Sequence, residues 1–266
     1  GLNATYCDND MSATMVPNVT GGAFNGTGVS GTSFDPNTAM TGTYDVEYIY
    51  TDANSCTDSI TQSVTVYAST AISMSTLPDL CVDANAYTLS NATPTGGSYS
   101  GTGVATGSFT PSTAGSGTHY VAYTYTNSDM CTTMDSVVQT VHALPVVVAS
   151  STPDTIFWGT TATLNASASV APAIQGLPSS GTSYSYVWTP VDSLSAGSQE
   201  TLQSPTTKSL FVPTTFDVTV TDQTTLCVNT DQVIVKIKGG PLSTTPVIDM
   251  DTTCAGDAIV LNAQAS

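Results

Sequence analysis

Arginine is absent from this sequence of 266 residues, and only three lysines stand against 20 acidic residues, a formal net charge of -17. Nucleic-acid binding rests on Lys and Arg neutralising phosphates, so that class of partner is excluded. The same shortage argues against anionic membrane surfaces. Histidine is nearly absent too, with only His119 and His142. There is no G-x-S-x-G elbow and no H-E-x-x-H. The usual base, nucleophile activator and oxyanion clamp are therefore scarce, and the chain reads as a non-enzyme. No apolar run approaches the roughly 18 residues of a membrane span. The opening "GLNATYCDND" lacks the basic and apolar regions of a signal peptide, so the chain reads as a mature piece of a larger protein. Helix formers such as Glu, Lys and Arg are few.

What fills the sequence instead is Thr, Ser, Gly, Val and Tyr, a composition that favours strands and turns. The hydrophobic share of 40% suffices to build cores, which sets the chain apart from acidic disordered segments.

The sequence repeats itself. "FNGTGVSGTSFDP" at residues 24–36 returns as "YSGTGVATGSFTP" at 99–111, and residues 21–68 align with 96–143 without a gap. The shared positions include Gly21-Gly22 and Gly96-Gly97, Phe34 and Phe109, Pro36 and Pro111, Tyr48 and Tyr123, Tyr50 and Tyr125, and Cys56 and Cys131. Within a third unit "GTTATLNASAS" (159–169) aligns with "GDAIVLNAQAS" (256–266) in the beginning of a fourth.

Six cysteines allow 15 pairings in principle. The near-equal intervals from Cys7 to Cys56 and from Cys81 to Cys131 fall inside the two copies, so the expected bridges are Cys7–Cys56 and Cys81–Cys131. Each would close a loop of about 50 residues, worth roughly 4 kcal/mol by chain entropy. Such bonds imply an oxidising, extracytoplasmic setting. A metal site is disfavoured, since there is no C-x-x-C pair. In the third unit Phe157 takes the place of the opening cysteine. Cys227 is left either free, paired with Cys254, or paired with another chain.

Period-two alternation is strongest just before each second cysteine: Val46, Tyr48 and Tyr50; Val121, Tyr123 and Tyr125; Phe216, Val218 and Val220. Each run is followed by a turn and another alternating run, a hairpin that ends each unit. About seven short strands per 75–95 residues, set off by turn residues, predict an all-β protein. The expected architecture is a string of tandem immunoglobulin-like β-sandwich domains at 1–69, 70–145 and 146–240, with 241–266 beginning a fourth. That last piece is too short for a core of its own, and the natural chain is expected to continue beyond it.

The GTGV loops lack the Lys and the following helix of a phosphate-binding loop, and read as turns. Acidic pairs at the unit starts, Asp8 and Asp10, Asp79 and Asp83, and Asp249 and Asp251, are candidate calcium ligands. No other cofactor is expected. Trp188 and the strand tyrosines could stack on sugars but have core spacing.

The pattern "GG-x-[FY]-x-G-T-G-V…F-x-P…V-x-Y-x-Y-T…C" resembles the immunoglobulin-like repeats of giant Bacteroidota surface proteins. The third unit is similar to their PKD-type repeat through "YSYVWTP" (184–190) and "TTFDVTVTD" (214–222), though without a Gly-Asp-Gly after the Trp. The resemblance implies export by the type IX secretion system and a cell-surface location. It also implies a stalk or fibre segment of a gliding or attachment adhesin or filament. Partners would be other repeats of the same long chain or copies in a homo-oligomeric filament, with an unidentified glycan or protein target. The rival is a ligand-recognition module that uses its loops directly. In that group Asp-Ser/Thr-apolar triplets carry O-linked sugars, which makes Ser59, Ser136, Thr155 and Ser193 candidate sites.

Overall fold

The alternating runs "GTYDVEYIYT" and "GTHYVAYTYT" each form the first arm of a long hairpin, and the folds of the two copies are built around these hairpins. The computed structural model describes residues 2–169, 183–197 and 199–240, plus the backbone of Pro246–Ile248 and Leu261–Ala263. It divides into two units, Gly1–Val141 and His142–Ser266.

The first copy contains β1 (Thr5–Cys7), β2 (Ala13–Thr14), β3 (Ala23–Asn25), β4 (Val29–Ser30), β5 (Ser33–Phe34) and one helical turn, α1 (Pro36–Ala39). The hairpin β6 (Gly42–Thr51) and β7 (Thr57–Tyr67) completes it. Its sheets have the orders β1-β7-β6-β3 and β2-β5-β4. Strand β1 runs parallel to β7, with Cys7 opposite Tyr67. Tyr6, Phe34, Val46, Val64 and Val66 come from both sheets and share one buried cluster, which makes the pair a sandwich.

In the second copy β8 (Ser73–Met74), β9 (Leu80–Cys81), β10 (Tyr87–Thr88) and β11 (Ala92–Thr93) precede β12 (Ser98–Ser100), β13 (Val104–Ala105) and β14 (Ser108–Phe109). The turn α2 (Pro111–Ala114) and the hairpin β15 (Gly117–Thr126) and β16 (Thr132–His142) follow. The orders β12-β15-β16-β9 and β10-β14-β13 reproduce those of the first copy. From β12 onward every element falls at the same offset from its counterpart, so the repeat in sequence is a repeat in register. Phe109, Val121 and Val141 fill the equivalent core.

The second unit holds β17 (Val146–Thr152), β18 (Thr155–Phe157), β19 (Thr163–Ser169), β20 (Tyr184–Thr189), β21 (Thr214–Asp222) and β22 (Val228–Lys238). One sheet has the order β18-β22-β21-β20 and the other pairs β17 with β19. Between them lie Leu164, Ala166, Phe216, Val218, Val220 and the fully buried Trp188. The indole N–H of Trp188 donates to Leu202 O at 3.0 Å. Strands β23 (Pro246–Ile248) and β24 (Leu261–Ala263) form an antiparallel pair. The architecture is all-β and immunoglobulin-like, with facing sheets and an opening strand parallel to the closing one in the first and third repeats.

Candidate functional site: the junction of the first two repeats

The parallel pairing of β1 with β7 brings the opening cysteine of the first copy to the end of its closing strand. There Asp8 N donates to Tyr67 O at 2.9 Å, and Ser69 N donates to the Asp8 carboxylate at 2.8 Å. Cys7 N donates to Asp10 Oδ2 at 2.7 Å, and Asp10 N returns a bond to Cys7 O at 3.0 Å. Residues 7–10 are thereby folded into a closed turn.

Facing this turn is the tip of the β15–β16 hairpin. Asn127 Oδ1 accepts from Asp129 N at 3.0 Å and Cys131 N at 2.9 Å, which fixes the cysteine at the tip. Cys131 is fully buried and forms a disulfide with Cys7, their Cα atoms 5.6 Å apart. Two amides reinforce the bridge from opposite sides. Asn127 Nδ2 donates to Ala68 O at 2.8 Å, and Asn9 Nδ2 donates to Thr132 O at 3.0 Å. The junction is thus one covalent bond flanked by two side-chain hydrogen bonds, all between repeats.

This corrects the expected pairing. Cys56 forms no bridge to Cys7: it is exposed and is the free cysteine among the described residues. Cys131 bonds Cys7, not Cys81, while Cys81 and Cys227 are each disulfide-bonded. Cys227 is therefore not free. The reason is geometric. Cys7 lies beside Tyr67 at one end of β7, and Cys56 precedes Thr57 at the other. The 11 residues of β7 hold those ends roughly 33 Å apart, at about 3.3 Å per step. A disulfide tolerates Cα atoms no more than about 7 Å apart. The matched intervals reflect the repeat period, not the bonding. The two asparagines at the junction also escaped notice in the sequence, although both sit within four residues of a cysteine.

The GTGV loops prove to be packing devices. Gly28 has φ +77, and a Cβ there would stand 2.6 Å from the Ala39 Cβ; at Gly103 the φ is +79 and the distance to the Ala114 Cβ is 2.7 Å. Each loop lies directly on its helical turn, closed by Asp35 N to Gly28 O and by Thr110 N to Gly103 O. Phe34 and Phe109 are fully buried beneath. Of the strand tyrosines, Tyr48 and Tyr123 are tied to the fold through their hydroxyls. Tyr48 OH accepts from Gly22 N and donates to Val19 O, and Tyr123 OH accepts from Gly97 N and donates to Pro94 O.

Carboxylates in these turns are tuned by neighbouring donors. The Thr38 hydroxyl, at 2.7 Å, holds the Asp35 carboxyl below its ordinary value. The Cys56 backbone N–H does the same for Asp52. Of the candidate calcium ligands, Asp8 and Asp10 are turned onto backbone amides, and Asp79 and Asp83 flank Cys81. Asp249, Asp251 and Cys254 lie outside the described residues. No group of three or more His, Cys, Asp or Glu among the described residues could hold a metal ion. Ser59 and Ser136 are exposed on hairpin strands; Thr155 and Ser193 are half-buried.

No protein-family model and no curated protein matches the chain. Among solved structures it is similar to the amphioxus IgVJ-C2 molecule, at 11% identity over 46% of this chain and 60% of that one, with a TM-score of 0.25. It is similar to the first eight Ig domains of the Down Syndrome Cell Adhesion Molecule, at 10% identity over 96% of this chain and 36% of that one, TM-score 0.42. A Ca2+-stabilized adhesin with which an Antarctic bacterium binds ice gives 13% identity over 91% and 72%, TM-score 0.25.

Proposed function

We propose that this chain is a structural segment of a large extracellular adhesin or filament, in which tandem β-sandwich repeats are covalently locked end to end. The observation that carries this reading is the Cys7–Cys131 bridge, which joins the base of one repeat to the tip of the next. A bridge within a domain stabilises that domain alone; a bridge between domains fixes their spacing and resists extension. The acidic surface keeps such a segment soluble, and three lysines leave trypsin few cleavage points. The GTGV pattern supports the finer reading of a Bacteroidota surface protein exported by the type IX route. Sugars on the exposed Ser59 and Ser136 fit the same setting.

A second reading, ligand recognition, is favoured by one feature of the first repeat. A depression of about 450 Å³ is lined by Met15, Phe24, Val46, Tyr48 and Ile60 among others.

Pulling the chain by its ends in a force spectrometer tests the structural role. With the bridge intact, the stretch between Cys7 and Cys131, 124 residues in sequence, stays out of the extension. That hides about 40 nm of contour length, released only on adding a reductant. Release without reductant overturns the proposal. Binding of the isolated chain to a glycan array or to cells would move the function to the second reading.

A further inference from the structure

The hairpin tip of the first repeat duplicates the one that carries Cys131. Across the tip Thr51 Oγ1 meets Thr57 Oγ1 at 3.0 Å, as Thr126 meets Thr132 at 2.9 Å. Asp52 Oδ1 accepts from Asn54 N and Cys56 N, as Asn127 does from Asp129 N and Cys131 N. Ser55 and Met130, each just before the cysteine, share the left-handed conformation with φ 68 and 66. The two tips differ in the capping residue, Asp52 against Asn127, and in the state of the cysteine. Cys131 is buried under the preceding repeat and bonded to its opening cysteine, whereas Cys56 is exposed and free.

The third repeat supplies an independent instance. Its hairpin cysteine, Cys227, is disulfide-bonded and buried, with Asp222 in the turn position that Asp52 holds in the first repeat. An aspartate there is thus compatible with a bonded cysteine. Among the described residues both other hairpin cysteines, and both opening cysteines, Cys7 and Cys81, are in disulfides.

We propose that Cys56 is the receiving thiol of a further inter-repeat disulfide, and that its partner is the opening-strand cysteine of another immunoglobulin-like repeat of this type. The partner's cysteine would be followed within three residues by Asp or Asn, as Cys7 and Cys81 are. Forming the bond from two thiols removes two electrons and two protons, so a disulfide-bearing oxidant, such as a thiol–disulfide oxidoreductase, is the co-reactant. The Cys56 thiolate attacks one sulfur of that disulfide, breaking its S–S bond and giving a mixed disulfide. The partner's thiolate then attacks the Cys56 sulfur and displaces the donor. The donor leaves as a dithiol carrying both electrons and both protons.

This inference rests on the reading of the chain as a cross-linked segment, but its test reads a bond and not adhesion or mechanical strength. The native protein is denatured without reductant, its thiols are blocked with N-ethylmaleimide, and it is digested at acid pH for disulfide mapping by mass spectrometry. The expected result is no label on Cys56 and a linked peptide whose cysteine opens another repeat. A gel run with and without reductant locates the partner. A band of higher mass lost on reduction places it on a second polypeptide, and a linked Cys56 peptide without such a band places it on the same one; both support the proposal. Quantitative labelling of Cys56, its capping by glutathione, or its linkage to Cys7 overturns it. Failure here with Cys7–Cys131 intact would leave the structural role standing.

Discussion

Cys7 and Cys131, 124 residues apart in sequence, are bonded across two repeats with their Cα atoms 5.6 Å apart. The intervening chain includes the connection between Tyr67 and Ser73. A protease site inserted there should therefore cut the chain without separating its parts. After cleavage, a non-reducing gel is expected to show one band and a reducing gel two. Pairing within repeats would give two bands on both.

The same bond should dominate the stability of the first unit. In the chain-entropy picture, closing a loop of more than 100 residues contributes about 4–5 kcal/mol. Cys131→Ser should lower the urea midpoint of that unit by a corresponding amount, less whatever native strain is relieved. Asn127 and Asn9 cannot compensate, because a typical net hydrogen bond contributes about 1 kcal/mol. An unchanged midpoint would show that the bridge does not constrain the unfolded chain.

Gly28 and Gly103 should resist substitution for two reasons at once. Both have a positive φ, and both face an alanine Cβ within 2.7 Å of where their own Cβ would lie. Gly28→Ala or Gly103→Ala should cost about 1–3 kcal/mol in thermal or urea unfolding. Gly31, with φ +58 but nothing within 4 Å, isolates the backbone contribution alone. Gly31→Ala should cost about 1 kcal/mol. Equal effects at the three positions would refute the packing role of the GTGV loops.

Tyr48→Phe and Tyr123→Phe test whether these rings serve the fold or a ligand. Each hydroxyl bridges a glycine N–H and a carbonyl, and Tyr123 is only 2% exposed. Removing the hydroxyl leaves both groups unpaired, at about 1–3 kcal/mol. The loss should be larger for the more buried Tyr123. A stable variant with altered sugar binding would favour recognition instead.

Much of this fold was legible in the sequence because alternation and repetition are local properties. Val46 and Val121 occupy equivalent buried positions, and Phe34 and Phe109 are equivalent anchors, as their recurrence suggested. The bonding was not legible, because it depends on which end of a strand meets which. The parallel pairing of Cys7 with Tyr67 is a long-range fact that no spacing rule contains. With it, the opening cysteine and the tip cysteine of one sandwich lie at opposite ends, and only a neighbouring repeat can bridge them. Trp188 has core spacing and is fully buried, whereas nothing local marks Asn9 and Asn127 as the residues whose amides bond across the junction.

Asp52 and Asn127 offer a natural comparison of a charged and a neutral cap on the same turn. The Asp52 carboxyl is held below its ordinary value, first by the Cys56 N–H. A carboxylate with a lowered folded value stabilises the folded turn above the ordinary carboxylate range, and this contribution is lost as pH falls through the folded value. Protonation should therefore loosen the Cys56 turn in acid while the Asn127 turn, whose cap does not titrate there, stays closed. Amide hydrogen exchange, corrected for the intrinsic effect of pH, should show protection at Cys56 falling in acid and protection at Cys131 unchanged. Asp52→Asn should keep the turn, since Asn127 Oδ1 makes the equivalent bonds, and should abolish the acid dependence. If the variant and the parent lose protection at the same pH, the carboxylate is not what closes the turn that presents Cys56.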